Sequence, residues 1–200
     1  LQDVTSTNNI GYGVYVNATN AGSSLNNLTA NNITANTNTL TGVLVSSSNS
    51  GSMTGLDINN ITATGNTQYG VYFSSSGTGA VLNNLTADDI TTTGNGLHGT
   101  YVVASATGSL SNASLSNITT SGNTQHGIQV YANGVGSSLN NLTLDGLTTS
   151  GNTQHGMYVL SSTSGSLSNL TLNDVTASSN TLSGLYILAS VGSITNVDLD

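Results

Sequence analysis

The chain of 200 residues contains no lysine, arginine, glutamate or cysteine, and its only formally charged side chains at neutral pH are eight aspartates, giving a net charge of −8. With no cationic side chain to neutralise phosphates, nucleic-acid binding is set aside. The missing cysteines exclude a disulfide framework and thiolate chemistry, and leave the redox compartment unreadable. No apolar run approaches the length of a membrane span, so membrane insertion is not expected, and no signal peptide stands at Leu1. A chain this poor in charge and rich in Ser, Thr, Asn and Gly has the composition of a disordered segment. Its apolar residues are spaced too regularly for that.

The regularity is a repeat. Ser121-Gly122-Asn123-Thr124-Gln125-His126-Gly127-Ile128-Gln129-Val130 recurs almost unchanged at residues 150–159 and, with more drift, five more times. Aligned on the glycine before each apolar segment, the copies fall at Gly13, Gly42, Gly70, Gly99, Gly127, Gly156 and Gly184, with gaps alternating between 29 and 28 residues. A fixed period of this size marks a solenoid, in which each unit buries its apolar face only against its neighbours. Other columns keep the register: Val4, Ile33, Ile61, Ile90, Ile118, Leu147 and Val175, and further along Leu25, Met53, Leu82, Leu110, Leu139, Leu167 and Ile194. Every second unit holds one extra residue between the glycine and the Leu column, so the full repeat is a pair of units, 29 + 28 = 57 residues.

Each unit reads as three short segments of alternating polarity, as in Gly13–Val16, Leu25–Ala30 and Ile33–Asn36, separated by Gly, Asn and Ser turns, with no helical periodicity. The expected fold is all-β: a single-domain parallel β-helix, or solenoid, of seven coils of 28–29 residues with three short strands per coil. Residues 1–200 then form one continuous body, roughly 34 Å long at ~4.8 Å per coil. Small residues such as Ala35, Ala63 and Ala177 extend the apolar core. Leu1-Gln2 share a phase of the repeat with Leu199-Asp200, and no capping segment is visible. The expectation is a segment of a longer solenoid, or a subunit that stacks end to end with residue 200 above residue 1 of the next copy.

Units of the form Asn-Thr-Gln-His-Gly-Ile-Gln-Val, followed by a Ser/Gly turn and Leu-Asn-Asn-Leu-Thr, resemble the right-handed parallel β-helix repeats of pectin-lyase-like proteins and of bacterial surface adhesins. The resemblance covers the whole chain and implies a fold rather than a function, because that fold hosts lyases, hydrolases and passive stalks alike. Pectate-lyase-like catalysis would need an arginine base, which this chain lacks. Polygalacturonase-like hydrolysis needs clustered carboxylates. Asp88-Asp89 with His98-Gly99 comes nearest to that family's Asp-Asp and Gly-His-Gly motifs, but a third aspartate and a cationic substrate clamp are missing. Asp88-Asp89 also sit where another unit has Asn31-Asn32. No catalytic residue is assigned, no cofactor is implied, and the chain is not expected to be an enzyme.

Four columns are candidate sites. Asn9, Asn38, Asn66, Asn95, Asn123, Asn152 and Asn180 stand four residues before each glycine and are expected to form a structural amide ladder at a turn. Thr5, Thr34, Thr62, Thr91, Thr119, Thr148 and Thr176 are expected to face outward beside Thr7, Asn36, Thr64, Thr93, Ser121, Ser150 and Ser178. A flat Thr-x-Thr/Ser face is similar to the ice-binding face of β-solenoid antifreeze proteins, although Thr also fills exposed strand positions on any such body. Tyr15, Tyr72, Tyr101, Tyr158 and Tyr186 form an outward stripe with Leu44 and Gln129, suited to sugar rings or to a neighbouring rod, or simply β-favouring surface.

His98, His126 and His155 share one column in three consecutive coils. No metal site is assigned: their backbones are ~4.8 Å apart per coil, too spread for three to converge on one ion. A solvent-facing polar stack that repels itself when charged, below pH ~6, is the simpler reading. Asn-x-Ser/Thr sequons are dense, at Asn17, Asn27, Asn32, Asn60, Asn84, Asn112, Asn117, Asn141 and Asn169, as a chain this rich in Asn and Thr produces freely.

Taken together, the sequence favours a non-enzymatic structural solenoid, extracellular or at the cell surface, serving as an adhesin stalk or a head-to-tail fibre subunit. The partners would be other copies or flanking repeats of the same chain. Ice or polysaccharide binding is the alternative, and a polysaccharide hydrolase the remote one.

Overall fold

The computed structural model describes all 200 residues as sixteen β-strands with no helix. Seven strands of six residues, from Val14–Thr19 to Leu185–Ser190, pair in parallel in chain order and make one sheet. A nine-stranded sheet faces it, and its interior strands run thirteen residues: Ser52–Thr64, Val81–Thr93, Ser109–Ser121, Ser138–Ser150 and Ser166–Ser178. Each short strand leads through a turn into the long-strand sheet, so a coil contains one of each, and the seven short strands number the coils. The molecule is a parallel β-solenoid of about seven turns.

Columns read from the sequence become ladders of paired residues. Ile61 pairs with Ile90, Ile90 with Ile118 and Ile118 with Leu147 in one ladder; Leu82, Leu110, Leu139 and Leu167 follow one another in a second. Their side chains are buried, and with Val71, Phe73, Val102 and Val130 from the short strands they form one continuous apolar column. Each fully buried Leu, Ile or Val contributes about 1.5–3 kcal/mol. At the C-terminal end Val175, Leu185, Ile187 and Ile194 are only partly buried, since a rung covers them on one side alone.

The three segments expected per coil are present, but the second and third are joined into one hydrogen-bonded strand. The reason lies in two corner residues. In Val81–Thr93 these are Asn84 and Asp89, at φ 53° and 55°; in Ser138–Ser150 they are Asn141 and Gly146, at 52° and 63°. Asn, Asp and Gly tolerate the left-handed region, so the chain bends while its ladder resumes on either side. The alternation of turn lengths holds through six coils and breaks in the seventh, where Val191-Gly192 alone join Ser190 to Ser193.

Corner geometry also accounts for the sequons. Eight of the nine acceptor asparagines, all but Asn17, sit at these left-handed corners. A corner Asn, an inward apolar residue and an outward Thr or Ser is what the bend requires, as in Asn60-Ile61-Thr62, and that order spells the sequon.

Candidate functional site

Between each long strand and the next short one, the chain enters a turn through a left-handed residue, then places the Asn of the first column. Gly122, at φ 60°, precedes Asn123. Asn38, Asn66, Asn95, Asn123 and Asn152 are buried, at 0–1 % exposure, so the ladder lies inside the rod rather than at its surface. Each Asn accepts at Oδ1 from both the backbone N–H and the Nδ2 of the preceding coil's Asn, at 2.9–3.1 Å through all six steps. The second Nδ2 proton reaches a backbone carbonyl of the preceding coil, as from Asn66 to Ala35 at 2.8 Å and Asn95 to Ala63 at 3.0 Å. Only a side chain with one acceptor and two donors can satisfy this pattern without charge. Aspartate could accept but would be a buried charge.

The glycine column is fixed by space. A Cβ on Gly127 would fall against the Thr120 hydroxyl, and 2.7 Å from both Asn152 Nδ2 and the Gly156 carbonyl oxygen. The ladder Asn, the glycine backbones and an inward small column therefore interlock. That inward column is Ala35, Ala63, Thr92, Thr120 and Thr149. The Thr92 and Thr120 hydroxyls are buried without a partner.

Past the glycine lies an aromatic seam, of which the columns taken one by one carry no direct sign. The His and Tyr columns are three residues apart in each coil, and the chain reversal at the glycine brings them into contact. His98 stacks on His126 at 5.0 Å and His126 on His155 at 5.3 Å; Tyr72 stacks on Tyr101 and Tyr158 on Tyr186, at 5.0 and 5.4 Å. Crossing pairs close the seam: Tyr69 with Tyr72, His98 with Tyr101, His126 with Tyr158 and His155 with Tyr186. The recurring three-residue offset, as in His155-Gly-x-Tyr158, was the available signal.

This corrects the expected solvent-facing histidine stack, because His98 and His126 are buried. Each Nδ1 accepts a backbone N–H from the next coil: from His126 to His98, His155 to His126, and Ser183 to His155, at 3.1–3.3 Å. The proton of the neutral ring is thereby placed on Nε2. Burial first, then the neighbouring imidazole, holds His98 down to about 3 and His126 down to about 4; burial also lowers His155. With Nδ1 occupied and the rings stacked near-parallel, their free nitrogens do not converge as metal ligands must. Burial raises Tyr69, Tyr72, Tyr101 and Tyr158 in turn. Stacked rings present edges outward, so Tyr72, Tyr101 and Tyr158 offer a sugar little open face; Tyr15, at 53 % exposure, and Tyr186 are the more open members.

On the long-strand sheet, Thr5, Thr34, Thr62, Thr91, Thr119, Thr148 and Thr176 form one unbroken outward ladder. Thr91, Thr119 and Thr148, with the corner residues Asn60, Asp89, Asn117 and Gly146, line a wholly polar groove of about 640 Å³. Asp88, beside it, accepts from Ser116 Oγ at 2.5 Å and Asn117 Nδ2 at 2.9 Å, and the Ser116 bond holds its carboxyl below the usual range. Asp88-Asp89 lie in the long-strand sheet and His98 in the seam leading to the short one, so the two halves of the hydrolase-like motif do not form one site.

No family model, curated protein or solved structure matches the chain. Functional inference therefore rests on the ladders themselves.

Proposed function

We propose that this solenoid is a non-enzymatic structural rod, part of an extracellular or cell-surface stalk or fibre, continued at its ends by further coils of the same chain or of another copy. The observation that carries this reading is where the uniformity lies. The interior keeps one character from coil to coil, with the same Asn rung, the same glycine and apolar or small residues at the inward positions, while most outward columns change character: Tyr15, Leu44 and Gln129 occupy one of them. Selection for a stack constrains the inside; selection for a repeated binding surface would constrain the outside. A right-handed, pectin-lyase-like coil of the adhesin type is the form this proposal takes. Absence of Lys and Arg, which leaves trypsin no cleavage site, suits an exposed rod.

Excision tests it. Removing residues 71–127 deletes one 57-residue pair of coils and joins Gly70 to Ile128 in column. A rod that acts as a spacer refolds and shortens by ~9.6 Å, read by small-angle scattering. Retention on a glycan array by the intact chain, lost on changing one surface column, would replace the spacer reading.

One observation favours a second reading: the Thr ladder is outward and unbroken. Ice binding through it predicts thermal hysteresis that Thr119→Tyr abolishes.

A further inference from the structure

The outward positions of the short-strand sheet depart from uniformity in one direction. The central outward column reads Asn17, Ser46 and Ser74 in coils one to three, then Val103, Tyr131, Leu160 and Leu188 in coils four to seven. Val103 is covered by its neighbours, whereas Tyr131, Leu160 and Leu188 remain partly open to solvent. Beside them lie Tyr158 and Tyr186, and the turns after the short strands of coils five and seven carry Val135 and Val191, exposed at 71 % and 82 %. A contiguous apolar patch of this kind on a polar rod marks an interaction surface.

Charge says what covers it. Seven of the eight aspartates lie in strands of the long-strand sheet and the eighth, Asp200, follows its last strand; the short-strand sheet and its turns carry none. A chain with a net charge of −8 and no cation repels a second copy of itself over most of its surface. The short-strand face is the side on which that repulsion is weakest, and it is the apolar side. Its extent is sufficient for a modest interface. Seven rungs at ~4.8 Å by six residues at ~3.3 Å give about 670 Å² per copy when two parallel rods touch along all seven coils, near the ~800 Å² per partner of a standard interface. Tyr131, Leu160 and Leu188 then supply the apolar part of the contact, toward its coil-seven end, with the Ser-rich column Ser76, Ser105 and Ser162 as a polar rim.

We propose that two copies of this chain pair side by side and parallel through their short-strand sheets, with the apolar residues of coils five to seven opposite one another. The same patch on each copy makes the contact self-complementary, so the pair closes instead of spreading into a sheet. Both acidic faces point away from the contact, and added salt, which screens their residual repulsion, should strengthen pairing.

Small-angle scattering on a concentration series separates lateral pairing from end-to-end stacking. Pairing doubles mass per unit length; stacking lengthens the rod at constant mass per unit length. The test variant is Tyr131→Ser with Leu160→Ser and Leu188→Ser, which places on coils five to seven the residue that coils two and three already carry. Leu160→Asp is a second, single-site variant. Doubling in the native chain that salt promotes and both variants abolish, with their far-UV circular dichroism unchanged, is the expected result. A native chain that keeps single-rod mass per length at every concentration would overturn the proposal. So would equal doubling in the variants, or a soluble polysaccharide that binds the native chain as a single rod and is released by both variants. None of these outcomes depends on whether coils continue beyond the ends.

Discussion

Truncating Asn123 to alanine removes the acceptor for two buried donors, the backbone N–H and Nδ2 of Asn95, while Asn152 Oδ1 still receives the backbone N–H of residue 123. At ~1–3 kcal/mol per orphaned buried group, Asn123→Ala is expected to cost about 2–6 kcal/mol in denaturant unfolding, against under ~0.5 kcal/mol for Thr148→Ala on the surface. Equal costs would mean that the ladder is ornament. The glycines divide in the same way. Gly122 is held by its φ of 60°, with open space where a methyl group would stand, so Gly122→Ala should cost about 1–2 kcal/mol. Gly127 is held by neighbouring atoms from three residues, and Gly127→Ala should cost at least ~3 kcal/mol. Both glycines were visible in the sequence as repeated columns, and so was the Asn. Period alone locates a constrained position; it does not reveal whether a dihedral angle, a close approach or a buried amide imposes the constraint, and for that reason the sequence placed the Asn ladder at a turn without showing that the turn is buried.

Stacking three imidazoles in one seam ties its stability to pH. A base whose folded pKa lies below its unfolded value binds fewer protons when folded, so stability is complete above the unfolded value of ~6.5 and falls as pH drops toward the folded values. For His126 the loss runs from ~6.5 to about 4, and for His98 to about 3. Each imidazole that stays neutral in the fold removes up to ~1.4 kcal/mol per pH unit over its window. Protonation would also displace the backbone N–H bound at Nδ1. Melting temperature is expected to be flat from pH 8 to 7 and to decline clearly between pH 6.5 and 5, a decline that His126→Tyr, the residue of coils one and three in that column, makes shallower. A level profile across that range would show that the histidines titrate freely. Inward Thr92 and Thr120 make the opposite case, as side chains that cost stability: replacing the unpartnered hydroxyl by a methyl in Thr120→Val should raise stability by about 1 kcal/mol. Neither the seam nor these hydroxyls could be read from columns taken singly. Each depends on two columns meeting across a bend, and a sequence holds separations along the chain, not angles at its corners.

Seven near-identical coils make the rod quasi-one-dimensional, with stability the sum of what each coil holds and what each interface between coils adds. The end coils have one such interface fewer, which is why Val175, Leu185 and Ile187 are only half-buried where their counterparts Leu147, Met157 and Val159 are fully buried. Register pairing from Leu199 through Leu172, Leu144, Leu115, Ala87 and Ile58 to Ala30 continues to Leu1, whose carbonyl accepts from Asn31 at 3.0 Å. Leu1 therefore occupies the column of Leu199. A tandem in which Leu1 follows directly on Asp198 continues every ladder, so its joint should form an ordinary interior interface. That tandem is expected to scatter as a single rod of ~68 Å and to melt above the single chain, because two half-covered coils become fully covered. Inserting one residue at the joint turns each inward side chain outward on one side of it, and should return two rods that melt as the single chain does. If the in-register tandem melted no higher than the frame-shifted one, the coils would not be interchangeable units, and continuation through the ends would lose its physical basis.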